Sequence, residues 1–141
     1  MIEVYIDGAS SGNPGESGAG LYINLSNGRE VRRVIPLGQL ANNHEAEFAA
    51  LLEALRFCQA QGYRCVSFRT DSQLVQQAVD KRFVKKEVYA RYLRMALPLI
   101  DSFDLFFCKW IPDSQNKNAD ELARQAIQIK ADQLEGRDPT A

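Results

Sequence analysis

Acidic side chains are common, so only those placed where a charge is costly point to chemistry. Asp7 directly follows the alternating run Ile2, Val4, Ile6, and Asp71 follows Val66 and Phe68 in the same phase. If those runs are parallel neighbouring strands in matching register, about 4.8 Å apart, the two carboxylates point to one face and meet at the strand ends. Glu47 precedes Leu51 and Leu55 by four and eight residues, which puts it on or beside the apolar stripe of a helix, whereas Glu53 falls on the polar side. Asp120 relates to Ala123 and Ile127 in a similar way, at three and seven residues. Four carboxylates facing one another repel, raise their own pKa values and destabilise a fold unless a cation sits between them. Oxygen-only ligation of that kind is what Mg²⁺ prefers. Taken singly, each acid has a plainer role: Asp71 as a helix N-cap, Asp7 as a turn residue before Gly8, and Glu47 and Asp120 as solvated helix residues.

The elements that must bring these acids together can be read from hydrophobic periodicity. Alternation over residues 2–7 predicts a strand, and residues 8–15 form a loop of turn formers. Strands over 19–25 and 30–37 follow, joined by Ser26-Asn27-Gly28, whose Asn-Gly pair favours a hairpin. From Asn43 the period changes to three and four (Phe48, Leu51, Leu52, Leu55), which predicts an amphipathic helix ended by Gly62. A fourth strand is expected over 64–70, and then a short helix over 72–79 capped by Thr70 or Asp71. The next helix, over 88–100, must be kinked or ended by Pro98. A fifth strand over 103–110 and a last helix over 118–129 complete the order βββαβααβα. The aromatics at Phe48, Phe57 and 103–107 are expected in the core. The class is α/β, with one domain over 1–131 and a flexible tail over 132–141.

Composition narrows the setting. A chain of 141 residues with 45% hydrophobic residues fits one domain with one core. Lys and Arg total 17 against 18 Asp and Glu, a formal charge of -1, which excludes a polycation and an acidic disordered tail. It also argues weakly against nucleic-acid binding, since affinity for phosphate comes from clustered bases. Cys58, Cys65 and Cys108 are odd in number and lack C-x-x-C spacing, so buried thiols in a reducing cytoplasm are expected rather than disulfides or a zinc site. No basic-then-apolar leader and no run of eighteen apolar residues occurs, so no export or membrane contact is expected.

Four ordered motifs bind these observations together. Tyr5-Ile6-Asp7-Gly8-Ala9-Ser10 with Gly12-Asn13-Pro14-Gly15 and Gly18-Ala19-Gly20 resembles the first motif of type 1 ribonuclease H. Asn43-His44-Glu45-Ala46-Glu47-Phe48 resembles the second and Thr70-Asp71-Ser72-Gln73-Leu74-Val75 the third. Trp110-Ile111-Pro112 leading to Asn116-Lys117-Asn118-Ala119-Asp120-Glu121-Leu122-Ala123 resembles the fourth. The resemblance covers about residues 1–127. It implies a five-stranded mixed sheet flanked by helices and a metal-dependent endoribonuclease that hydrolyses the RNA strand of an RNA/DNA hybrid. It further implies that Asp7, Glu47, Asp71 and Asp120 are the catalytic, metal-binding carboxylates for two Mg²⁺ ions, with Mn²⁺ as a substitute. In that scheme Asp7 bridges both ions, Asp71 and Glu47 complete the water-activating side, and Asp120 completes the side that stabilises the leaving 3′ oxygen. Ser10, Asn13, Asn43 and Gln73 fall where the family contacts sugars and minor-groove edges, where the 2′-OH marks RNA. No obligate protein partner is implied, and a monomer is expected.

Two departures from the family pattern stand out. The stretch between Trp110 and Asp120 is short and lacks the loop His of many members, which bears on turnover more than on metal binding. The only histidine, His44, stands where the family often has a hybrid-contacting Asn; a substrate contact and a solvated helix start both remain open. The basic arm with interleaved Trp is also absent. In its place, residues 80–94 hold Lys81, Arg82, Lys85, Lys86, Arg91 and Arg94 against Asp80 and Glu87. That is a reduced patch, with Lys85 and Lys86 as candidates to grip the DNA backbone, unless it is simply a solvated helix face. These departures keep an alternative in view: a nucleic-acid-binding module of the same fold with weak or lost catalysis. Another nuclease of the superfamily, such as a junction resolvase, is disfavoured by the Asp7–Gly15 loop.

Overall fold

The computed structural model describes residues 1–134, with side chains to residue 129. Five strands, β1 (Ile2–Ser10), β2 (Gly15–Asn24), β3 (Glu30–Leu40), β4 (Cys65–Thr70) and β5 (Leu105–Trp110), form one sheet in the order β3-β2-β1-β4-β5. β1 to β3 are antiparallel, whereas β4 runs parallel to β1 and to β5. The helices are α1 (Asn43–Ala60), α2 (Gln73–Lys81), α3 (Glu87–Ser102) and α4 (Lys117–Leu134), with a 3₁₀ turn over Asp113–Gln115. This is the expected element order and sheet. Of the expected tail, residues 132–134 continue α4 and 135–141 lie outside the described residues.

Several boundaries differ from the periodicity, each for a tertiary reason. β1 continues through Gly8, Ala9 and Ser10 because they pair with Ala19, Gly18 and Ser17 of β2, so the turn formers begin only at Ser11. β3 extends to Leu40 by pairing with the start of β2, across a register shift at Ser17/Gly18. α3 runs through Pro98 to Ser102, so the proline does not end it. The core lies between the sheet and α1 to α3, where Val4, Ile6, Phe48, Leu51, Leu55, Val66 and Phe68 are fully buried. Phe107 is not core, as expected of it, but 53% exposed, because outward positions of edge strand β5 have no helix over them among the described residues.

Two glycines decide how closely helices approach the end of β1. A Cβ on Gly8 would sit 2.1 Å from the Ala46 carbonyl oxygen, so α1 rests on bare backbone beside Asp7. Gly20 is the cross-strand partner of Asp7, and its Cβ would lie 2.1 Å from the Ala119 carbonyl oxygen and 2.5 Å from the Ala123 nitrogen of α4. Successive residues face opposite sides of a sheet, so one acid-bearing helix is seated on each face. Gly20→Ala is expected to push α4 outward, costing ~1–3 kcal/mol and lowering the thermal midpoint by roughly 3–12 °C. A calorimetric midpoint equal to that of the parent chain would contradict this packing.

Candidate active site

The parallel pairing of β1 with β4 ends at Ile6 and Thr70, so Asp7 and Asp71 are the next residues on adjacent strands. Glu47, on the first turns of α1, reaches the same point, and its carboxylate accepts the Gly8 backbone N–H. Asp7, Glu47 and Asp71 each offer a carboxylate oxygen within 4.8 Å of the others. Asp120 of α4 lies near enough for its charge to act on Asp7 and is paired to Arg124 at 3.2 Å. All four acids line one cavity of about 770 Å³, together with Ser10, Asn43, His44 and Gln73. The structure thus brings Asp7, Glu47 and Asp71 together and places Asp120 on the wall of the same cavity.

Burial and mutual repulsion raise the affinity of the cluster for protons. Burial, together with the nearby Asp71 and Asp120 charges, pushes the Asp7 carboxyl up to about 7. Burial and the adjacent Asp7 carry Glu47 well above the usual carboxylate range. Burial also raises Asp71, against the hydrogen bond it accepts from Asn116. Among these acids the described residues place one cation, Arg124, and it pairs with Asp120 rather than with Asp7, Glu47 or Asp71. An oxygen-only donor set of this charge fits a hard divalent ion.

Helix capping leaves the functional side chains free. The N-cap of α2 is Ser72, not Thr70 or Asp71 as expected: the Ser72 hydroxyl accepts the Val75 N–H at 3.1 Å, and Thr70 Oγ1 accepts the Ser72 N–H. Asp71 stands one residue too early to cap and turns to the site. α1 is capped by Asn42, whose Oδ1 accepts the Glu45 N–H, so Asn43 instead accepts the Ser10 N–H at 2.7 Å. Asn13 lines an adjoining cavity with Ser10, Asn43 and His44. His44 is exposed, its ring edge against Tyr89.

Lys85 and Lys86 line neither cavity; they lie on the connection from α2 to α3. The basic stretch around them is smaller than its sequence count. Arg82 pairs with Asp101, Arg91 with buried Glu45, and Arg94 with Glu87, which leaves Lys81, Lys85 and Lys86 without ion pairs among the described residues. Asp101 and Glu45 lie outside the counted window, so only folding reveals them.

Sequence reasoning passed over several residues that build the site. Glu45 accepts hydrogen bonds from Ala41 N–H, Arg91 and Tyr92, locking the start of α1 to α3. Its signal was the Asn42-x-x-Glu45 spacing of a capping box. Trp110 Nε1 donates to the Asp71 carbonyl at 3.1 Å and holds that turn. Asp113 lines the cavity and its charge adds to the upward pressure on Asp71; nothing in its local sequence distinguishes it from a turn residue.

A five-stranded mixed sheet with a carboxylate cluster where the pairing of β1 with β4 ends defines a metal-dependent nuclease site of the ribonuclease H type. The sequence matches the family described as Reverse transcriptase-like over residues 5–126. It is 42% identical to the protein named "Putative hydrolase EbsB" of Enterococcus faecalis, over 91% of this chain and 95% of that one. It is 32% identical to ribonuclease HI of Halobacterium salinarum, over 89% of this chain but 64% of that protein's length. The crystal structure of RNase H1 from that archaeon matches with a TM-score of 0.84 at 30% identity, covering 91% of this chain and 98% of that one. LC11-RNase H1, solved in complex with an RNA/DNA hybrid, matches with a TM-score of 0.84 at 27% identity, covering 93% and 99%. The chain belongs to the ribonuclease H family, type 1.

Proposed function

We propose that this chain is an endoribonuclease that hydrolyses the RNA strand of RNA/DNA hybrids, using two Mg²⁺ ions held by Asp7, Glu47, Asp71 and Asp120. The observation that carries this reading is the convergence of three carboxylates within 4.8 Å, beside a cavity lined by short polar groups. The hybrid bound in the LC11-RNase H1 structure supports the substrate. When bound, such ions activate a water and stabilise the leaving 3′ oxygen. The chain's own groups do the rest. Asp7 and Asp71, fixed just past the point where β1 and β4 stop pairing, set the origin of the site, and Glu47 closes it from α1. Ser10, Asn13, Asn43 and Gln73 meet the hybrid across its minor groove, where neutral side chains and loop amides suit sugar hydroxyls.

The chain acts as a monomer in a reducing cytoplasm in this reading. Burial pushes the Cys58 and Cys108 thiols up to about 12, so both stay unreactive, and no cysteine is in a disulfide. Among the described residues no helix is long and apolar enough to cross a membrane. The test is a labelled substrate panel of RNA/DNA hybrid, single-stranded RNA, duplex RNA and four-way DNA junctions, in Mg²⁺ and in Mn²⁺. Cleavage of the RNA strand of the hybrid alone is expected. No cleavage across metal and protein concentrations would overturn the reading.

Binding strength follows from Lys81, Lys85 and Lys86, the bases of this stretch without ion pairs among the described residues. Each phosphate neutralised contributes about −0.9 to the slope of log K against log salt, so a slope of roughly −3 is expected rather than the −5 that six bases would give. Replacing both Lys85 and Lys86 by alanine should flatten the slope by about 2, measured by fluorescence anisotropy on an uncleavable hybrid. An unchanged slope would remove these lysines from the interface.

A further inference from the structure

Asn116 touches every acid-bearing element of the sheet side of the site. Its Nδ2 donates to the Ile6 carbonyl at 2.9 Å, on the residue before Asp7, and to the Asp71 carboxylate at 3.0 Å. Its backbone carbonyl accepts the Asp120 N–H at 3.1 Å at the start of α4. The side chain is 1% exposed, and its Oδ1 has no hydrogen-bond partner among the described residues. Buried amides usually satisfy both ends. Here the two acceptors fix which end is nitrogen, and the oxygen is left over. An amide suits this position: a carboxyl brings at most one hydrogen to the carbonyl and the carboxylate, and a serine likewise has one where two are used.

We infer that Asn116 is a positioning residue for hydrolysis, pinning β1 at Ile6, the turn after β4 and the start of α4 at one point so that Asp7, Asp71 and Asp120 keep the spacing a pair of metal ions requires. The inference rests on the metal-dependent activity proposed above. It is tested with Asn116→Ala and the isosteric Asn116→Asp in the full chain, beside Val75→Ala as a destabilised core control, since Val75 is fully buried and outside the site. Partners that orient metal ligands typically carry ~10–100-fold in metal affinity or activity, so kcat should fall by that factor with the KM for hybrid within about twofold. Mn²⁺ binding to the nucleic-acid-free chain, read by electron paramagnetic resonance, should weaken by ~10-fold or more. Val75→Ala should lose thermal stability while keeping kcat and Mn²⁺ affinity. If the alanine variant does not fold, Asn116→Asp carries the test. Parental kcat and Mn²⁺ affinity in a folded Asn116 variant would overturn the inference, as would an equal loss of both in Val75→Ala. A parent chain that neither cleaves hybrid nor binds Mn²⁺ would overturn the proposed function itself, and this inference with it.

Discussion

Asp71→Asn is expected to leave a folded chain that still binds RNA/DNA hybrid but cleaves it at least ~10³-fold more slowly, because losing a ligand to an ion worth several kcal/mol of transition-state stabilisation removes a factor of ten per 1.4 kcal/mol. The substitution preserves shape. The asparagine oxygen can still accept from Asn116 Nδ2, and the Trp110 bond to the residue 71 carbonyl is made by backbone. The whole effect should therefore lie in kcat, with hybrid affinity within about threefold of the parent by anisotropy in chelator. Activity within tenfold of the parent would show that Asp71 is not a ligand. The same variant separates the enzyme from the binding-module alternative, since a module without catalysis has no rate to lose.

The second large effect is on stability. Asp7 keeps its proton up to about pH 7 in the folded chain, against 3.8 as its ordinary value, and Glu47 is shifted in the same direction. Between those pH values the folded state binds more protons than the unfolded one, so stability falls as pH rises through the window. A shift of this size in one group corresponds to something on the order of 4 kcal/mol, fully present below about pH 4 and lost above about pH 7. In chelator, the thermal midpoint should therefore drop by roughly 10 °C or more between about pH 5 and pH 8. Mg²⁺ should reverse the drop at pH 8 and do little at pH 5, since protons compete with the metal for the same oxygens. Asp7→Asn should flatten the profile in chelator, because an amide has no charge to bury. A metal-free midpoint that rises or stays level from pH 5 to pH 8 would contradict the cluster geometry.

Much of this site is legible in the chain because its parts are local. The phase of Asp7 against Val4 and Ile6, and of Asp71 against Val66 and Phe68, already gives both acids one facing, although only β4 ends beside its acid and β1 runs on past Asp7 to Ser10. Parallel pairing in the structure then sets them side by side. Glu47 and Asp120 are readable from helical spacing for the same reason. Capping is less legible. Asn42 and Asn43, or Asp71 and Ser72, are adjacent polar residues that differ only in which of them reaches the first free N–H groups, and that depends on backbone angles set by the sheet.

What sequence by itself determines is therefore the order of elements, the α/β class and the facing of four acids that the family resemblance joins into one candidate site. Each follows from a period of two or of about 3.6 and from residue types that tolerate only a few positions. Tertiary structure decides the distances and the charges. Gly8 and Gly20 appear in the sequence as flexible residues, but only packing shows that they seat α1 and α4 on bare backbone beside Asp7. Arg82 and Arg91 count as free cations until folding brings Asp101 and Glu45 against them. Asn116 becomes a pin only when Ile6 and Asp71, 110 and 45 residues away, close on its amide. Contacts across such separations have no local period to announce them, because they are fixed by which faces of which elements the core forces together.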